Sequence, residues 1–102
     1  MIHINRGKPF PLGSSLTSQG VNFSLIATNA EYVEILLFEK EDSIVPKTIL
    51  KLDQNNNTGP YWHVEIKNLN EGCIYAFRIK QKNNDINNNF EKKYYSIHVQ
   101  GV

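Results

Sequence analysis

Apolar and polar side chains alternate most clearly between residues 20 and 38. In residues 20–27, Val21, Phe23 and Leu25 fall on one face of an extended chain, which is typical of a half-buried strand. A polar corner at 28–31 separates this strand from a second one, residues 32–38, in which both faces carry apolar groups. Two apolar faces indicate a strand at the centre of a covered sheet. The pair of strands therefore predicts that a second sheet packs against them.

Further strands are predicted at residues 47–52, 61–67, 73–81 and 94–99. Segments 61–67 and 73–81 each alternate cleanly and are joined by a short connection containing glycine, so we expect them to form a hairpin. His63 lies on the polar face of its segment, where a solvent-exposed ring is expected. In the last segment, Tyr95, Ile97 and Val99 share a face.

The remaining segments carry turn residues. Pro9 and Pro11 exclude a helix from residues 6–20 and indicate an extended lead-in. Residues 39–43 predict a charged turn, and 53–60 and 83–89 predict polar loops. Short strands, regular turns and no helical period predict an all-β fold, an immunoglobulin-like sandwich of about six to seven short antiparallel strands. The predicted core is formed by Phe23, Leu25, Val33, Ile35, Leu37, Trp62, Val64, Tyr75, Phe77 and Ile79.

The composition narrows the class of protein. A chain of 102 residues with 40% hydrophobic content fits one globular domain, residues 1–102. The formal charge of +1 gives no electrostatic reason to expect a nucleic acid or an anionic membrane as a partner, and no apolar run is long enough for a membrane-spanning helix. Cys73 is the only cysteine, which excludes an internal disulfide. We expect its side chain to act as a small buried hydrophobic group, and we expect the protein to be cytoplasmic.

Few residues suggest catalysis. The three histidines, His3, His63 and His98, lie in unrelated segments, so we predict no metal site, and no acidic pair or phosphate loop indicates a catalytic residue or a cofactor. Exposed aromatic rings remain as candidate binding groups, because sugar rings stack on them. Tyr61 and Tyr32 are the candidate carbohydrate-binding residues, whereas the other strand aromatics are assigned to the core.

Three segments together resemble a known family. RGKPFPLGSS, GVNFSLIATNAEYVEILLF and GPYWHVEIKNLNEGCIYAFRI are similar, in this order, to the N-terminal module of glycogen and starch debranching enzymes. These are isoamylase-type members of glycoside hydrolase family 13, and the module is carbohydrate-binding module family 48. The resemblance implies an immunoglobulin-like domain that precedes a catalytic (β/α) barrel cleaving branch-point α-glucosidic bonds. It implies no catalytic residue in this chain, because the family's carboxylates belong to the barrel.

The chain lacks some residues of the sugar-binding members. Those members place a lysine after the tyrosine of the G-x-x-Y strand and tryptophans on neighbouring loops. Here Ala76 follows Tyr75, and the matching loops are residues 39–41 and 82–84. We therefore expect α-glucan to bind only weakly. A glycoside hydrolase barrel is the other candidate partner.

The sequence departs from the family again after residue 91. Family members usually continue like K-V-L-L-D-P-Y-A, whereas this chain runs KYYSIHVQGV. With synonymous codons chosen freely, a shift of one nucleotide lets the tail be read as V-L-F-D-P-C-S-R-G, and Lys92-Lys93 would lie on an adenine run. We interpret residues 6–91 as family-like and 92–102 as an atypical, frameshifted tail. The alternative is a genuine short protein whose residues 94–99 complete the sandwich.

Three functions are compatible with these observations. The first is a non-catalytic module severed from a debranching enzyme. The second is a free-standing α-glucan-binding or regulatory module that acts with a partner enzyme. The third is an interaction domain whose apolar face once met the barrel and which would now self-associate.

The frameshift predicts a specific result at the DNA level. We expect the sequence beyond the Lys92 and Lys93 codons to continue, in another frame, as a debranching-enzyme barrel. Sequencing the locus through several hundred further bases tests this. A downstream region without such a frame would contradict the frameshift and favour the intact short protein.

Overall fold

A computed structural model of the chain describes residues 2–40, 44–70 and 72–82 together with the backbone of Tyr94–Gln100. Within these ranges the chain forms nine strands and one short 3-10 helix, Gln54–Asn56. The strands are β1 (Ile4–Asn5), β2 (Gly13–Leu16), β3 (Gly20–Ile26), β4 (Ala30–Phe38), β5 (Thr48–Leu52), β6 (Asn57–Thr58), β7 (Tyr61–Lys67), β8 (Ile74–Gln81) and β9 (Tyr94–Gln100). The helix and β6 lie in the segment that the sequence predicted as a loop.

The strands form two antiparallel sheets. The first sheet has the order β1-β7-β3-β2, and β6 also pairs with β7. Because β3 occupies one edge of β7 along its whole length, β1 and β6 share the other edge, one at each end. The second sheet has the order β5-β4-β8-β9. The predicted all-β, immunoglobulin-like sandwich is confirmed.

The chain crosses from the first sheet to the second between β3 and β4. Asn29 adopts a left-handed conformation at this corner, with φ of 59°, which asparagine tolerates better than most residues. The backbone N–H of Ala27 donates to the Pro60 carbonyl at 2.9 Å, and the indole Nε1 of Trp62 donates to the Ala27 carbonyl at 3.1 Å. The corner therefore stays attached to β7 as the chain changes sheet.

The predicted hairpin between residues 61–67 and 73–81 is wrong. β7 and β8 lie in different sheets, because β3, β1 and β6 occupy both edges of β7, whereas β8 pairs with β4 and β9. Their apolar faces meet across the interior instead. The connection turns through Asn68 and Gly72, which both have positive φ angles, of 66° and 86°. Alternation alone does not distinguish these arrangements, since either one buries a single face of each strand.

The core lies between the two sheets. It contains all ten predicted residues and adds Val21, Ala27, Ala30, Leu52 and Ile66. At its centre, the Phe23 ring from the first sheet meets the Tyr75 ring from the second edge-on, with centroids 4.8 Å apart. Phe77 adds a further edge contact to Tyr75 at 5.3 Å. Such aromatic geometry stabilises the pairing of the sheets beyond the apolar area it buries.

Residues 6–11 cross the outer face of the first sheet, and we call this segment the strap. Gly7 makes the close approach possible. Its φ is +76°, and a Cβ added there would lie 2.5 Å from Asn22 Oδ1 and 2.7 Å from the Val64 carbonyl carbon. Only glycine therefore fits between the strap and the sheet without displacing the backbone.

Several predictions concern residues outside the described part of the chain. These are much of the charged turn at 39–43, the loop at 83–89, the Lys92-Lys93 pair, and the side chains of Tyr95, Ile97 and Val99. The backbone of the last predicted strand is described: β9 pairs with β8 from Ile74↔Gln100 to Lys80↔Tyr94.

The strap predicts unequal effects of two glycine substitutions. Gly7→Ala combines a strained φ with a backbone clash, so we expect it to lower the free energy of unfolding by about 3 kcal/mol or more. The matched control is Gly13→Ala, where φ is +86° but nothing lies within 4 Å of the added Cβ. There only conformational strain applies, at about 1–2 kcal/mol. Urea unfolding measures both values, and equal losses would contradict the close approach of the strap.

Candidate functional site

Buried polar side chains hold the strap against the first sheet. Asn22 uses its whole amide: Oδ1 accepts from the Lys8 N–H at 2.9 Å, and Nδ2 donates to the Lys8 carbonyl at 3.0 Å. The Ser24 hydroxyl donates to the Pro9 carbonyl at 2.6 Å. Both side chains are buried. They satisfy strap backbone groups that the sheet would otherwise separate from water.

His63 completes this attachment, and its predicted exposure is wrong, because the ring is buried beneath the strap. Nδ1 lies 2.8 Å from the Arg6 carbonyl, which can only accept, so Nδ1 carries the proton. Nε2 lies 2.8 Å from the Thr58 hydroxyl, which donates to it when the imidazole is neutral. The Arg6 guanidinium in turn contacts Thr58 Oγ1 at 3.4 Å. Both ring nitrogens thus serve the fold.

Glu65 lies on the same outer face, beside the strap. Hydrogen bonds from the side chains of Thr17 and Asn5 lower the pKa of its carboxyl, and the charges of Lys67 and Lys8 add to the effect, while partial desolvation opposes it. The Asn5 bond runs from Nδ2 to Oε1 at 2.8 Å. Glu65 is therefore an ionised hydrogen-bond acceptor at neutral pH.

A groove opens between the strap and the β2–β3 hairpin. Its volume is about 540 Å³, and its lining combines an aromatic ring, hydroxyls, an amide, a carboxylate and an ammonium group. The lining residues are Gly7, Lys8, Phe10, Pro11, Ser15, Thr17, Ser18, Asn22 and Glu65. Only the alternation of β3 and β7 was visible in the sequence. It placed Asn22 and Glu65 on the outer face but gave no indication that residues 6–11 lie across it.

Tyr61, a predicted carbohydrate-binding residue, lies next to this groove. It occupies the outer face of the first sheet, opposite Ile26 in the strand register. The side chain is half-buried, and its ring centroid is 4.9 Å from that of Phe10 at an interplanar angle of 58°. Phe10 is 60% exposed. Phe10 was not among the predicted binding residues, although its position between Pro9 and Pro11 indicates that its ring lies outside the core.

Tyr32, the other predicted residue, lies on the outer face of the second sheet. The structure therefore does not bring the two tyrosines together. The Tyr32 ring is half-buried and has the Lys51 ammonium 4.3 Å and the Lys80 ammonium 5.6 Å from its centroid. Cations over the ring occupy part of the surface on which a sugar would stack. Carbohydrate binding by either tyrosine stays a prediction.

Ala76 lies in an apolar strip on the outer face of the second sheet. It pairs with Leu36 of β4, which pairs in turn with Ile49 of β5. Ala76 and Leu36 are buried, whereas Ile49 is 48% exposed. At the position where the family resemblance implies a lysine in sugar-binding members, this chain therefore has a buried methyl group, which cannot donate a hydrogen bond.

Cys73 is free and half-buried, and it packs against the core as predicted for a small hydrophobic residue. Desolvation raises the pKa of its thiol, which disfavours the nucleophilic thiolate.

In the described ranges of the chain, no three His, Cys, Asp or Glu side chains are grouped to hold a metal ion. Nor do those residues contain a helix with the length and apolar character to cross a bilayer.

A family model of carbohydrate-binding module 48, the isoamylase N-terminal domain, matches residues 11–96 of the chain. The glycogen debranching enzymes of Pectobacterium carotovorum subsp. carotovorum (strain PC1) and Enterobacter sp. (strain 638) are each 34% identical to the chain over 79 residues. These alignments cover 78% of this chain and 11% of each relative, so the chain spans a small part of their length.

A solved structure shows the same fold. A pullulanase from Paenibacillus barengoltzii, in complex with maltohexaose and alpha-cyclodextrin, superimposes with a TM-score of 0.66 at 19% identity. The superposition covers 87% of this chain and 12% of the pullulanase. Since the family model matches most of the sequence, the chain belongs to the carbohydrate-binding module 48 (isoamylase N-terminal domain) family.

Proposed function

We propose that this chain is the non-catalytic N-terminal β-sandwich module of a glycogen debranching enzyme. In that enzyme a separate barrel domain would hydrolyse α-1,6-glucosidic branch linkages. The observation that carries the proposal is the alignment with curated debranching enzymes, which takes in 78% of this chain but 11% of the relative. A segment of that size corresponds to an accessory module rather than to the catalytic unit.

The described side chains support an accessory role. His63, the type of residue used most often for proton transfer, has both ring nitrogens engaged in the attachment of the strap. Glu34 pairs with Arg78 at 2.7 Å, and Glu31 pairs with Lys80. A general acid would need a carboxyl whose pKa is raised, whereas the pKa of Glu65 is lowered. These groups stabilise strands and the strap.

A second candidate function is a free-standing α-glucan-binding or regulatory module. The observation that favours it is the aromatic pair on the first sheet, in which the exposed Phe10 ring contacts Tyr61. Exposed rings beside polar groups suit the two faces of a sugar, one apolar and one rich in hydroxyls. This function needs no barrel in the same chain.

One preparation of the purified chain tests both candidates. We expect no release of reducing ends from amylopectin, because the catalytic carboxylates of the family lie outside this module. The same protein is run through gels with and without glycogen. Retardation by glycogen would favour the glucan-binding function. An unshifted band would contradict that function and favour the accessory module. Measurable debranching by the chain would refute the proposal that it is non-catalytic.

A further inference from the structure

We propose that the groove between the strap and the β2–β3 hairpin binds a short stretch of a neutral α-linked oligosaccharide, with Phe10 as its stacking platform. This inference rests on the glucan-binding candidate and assigns it a site. The site lies on the first sheet, opposite the face on which Ala76 replaces the lysine of sugar-binding members.

The walls of the groove are fixed before any ligand arrives. The strap wall is held by Asn22 and Ser24 through hydrogen bonds of 2.6–3.0 Å. The hairpin wall is held by Thr17, whose Oγ1 accepts from the Gln19 N–H at 3.2 Å and the Gly20 N–H at 2.9 Å. The Thr17 N–H also donates to the Gly20 carbonyl at 2.9 Å. Preorganised walls reduce the entropy that binding would otherwise cost.

The floor and rim offer the donors and acceptors that a sugar needs. Glu65 is ionised, and a carboxylate has about four lone-pair positions, of which the Asn5 and Thr17 side chains use two. Ser15 and Ser18 contribute hydroxyls that both donate and accept. Lys8 adds an ammonium group that only donates. Vicinal sugar hydroxyls, which also donate and accept, match this mixture.

The charge of the groove favours a neutral ligand. Among the lining residues, Glu65 and Lys8 carry opposite charges, so the lining itself has no net charge that would attract an anion or a cation. A phosphate would meet the Glu65 carboxylate, and an ammonium ligand would meet Lys8. A neutral polyol can instead use the carboxylate as an acceptor and the ammonium as a donor.

Phe10 supplies the apolar element of the site. Phe10 is 60% exposed and lines the groove, and its ring centroid lies 4.9 Å from that of Tyr61. The Tyr61 contact restrains the ring without covering it. The C–H face of a hexose can therefore stack on Phe10, with its hydroxyls directed toward the polar lining of the groove. The volume of about 540 Å³ is in the range of sites that take small ligands.

The test is a titration of the full ¹⁵N-labelled chain with maltohexaose, followed by ¹H–¹⁵N correlation spectra. We expect the amide signals of Ser15, Thr17 and Ser18, which line the groove, to shift. Phe10→Ala should weaken binding about tenfold, and Glu65→Gln about fivefold. The spectrum of each variant also shows whether it remains folded.

One control matches the Phe10 variant. Leu12→Ala removes another half-exposed apolar side chain close to the strap, outside the groove lining, and should leave the affinity unchanged.

Three results would overturn the proposed site. Shifts confined to the Tyr32 face would move binding to the second sheet while preserving the glucan-binding function. Unchanged affinity in Phe10→Ala would refute the stacking platform. The absence of any shift would refute the site and the glucan-binding function together, whereas the amylopectin assay decides independently whether the chain is catalytic.

Discussion

The outer face of the first sheet depends on one constraint: backbone carbonyls laid across a sheet must find hydrogen-bond donors there. The carbonyls of Arg6, Lys8 and Pro9 meet donors from three side chains, His63, Asn22 and Ser24. Among the described residues, no buried side-chain nitrogen or oxygen lacks a partner. The strap can therefore approach closely enough to require glycine at position 7, and the groove wall it forms is hydrogen-bonded directly to the sheet beneath it.

The same constraint explains the limits of sequence analysis here. A period of two predicted the six longest strands, the ten core residues and the inward faces, because apolar burial alone determines that pattern. It also placed Asn22 and His63 correctly on the other face. The expectation that polar side chains on that face are exposed to solvent was wrong, because Asn22 and His63 are buried. A buried polar residue and a solvated one look alike in the sequence when the covering segment, here residues 6–11, is a run with two prolines and no periodicity.

For a related reason, the alternation of apolar and polar residues did not indicate which sheet each strand joins. β7 and β8 each carry one apolar face, as two strands of a hairpin would, yet they belong to opposite layers. Which edge of β7 is free depends on β3, which is distant in sequence, and on the two-residue strands β1 and β6. Strands of two residues leave almost no periodic pattern to detect. The topology was thus decided by pairings that the sequence shows only through the family resemblance.

The two outer faces of the sandwich differ in ways that bear on binding. On the second sheet, Arg78 pairs with Glu34, and Tyr32 lies under the Lys51 ammonium, so polar groups there are already engaged with one another. The rest of that face is apolar around Leu36. On the first sheet, the buried side chains of Asn22, Ser24 and His63 hold the strap. The partly exposed Glu65 carboxylate in the groove keeps hydrogen-bonding capacity toward solvent. A ligand rich in hydroxyls gains more from binding to the first sheet than to the second. On the first sheet it replaces water at polar groups that need no rearrangement to bind it.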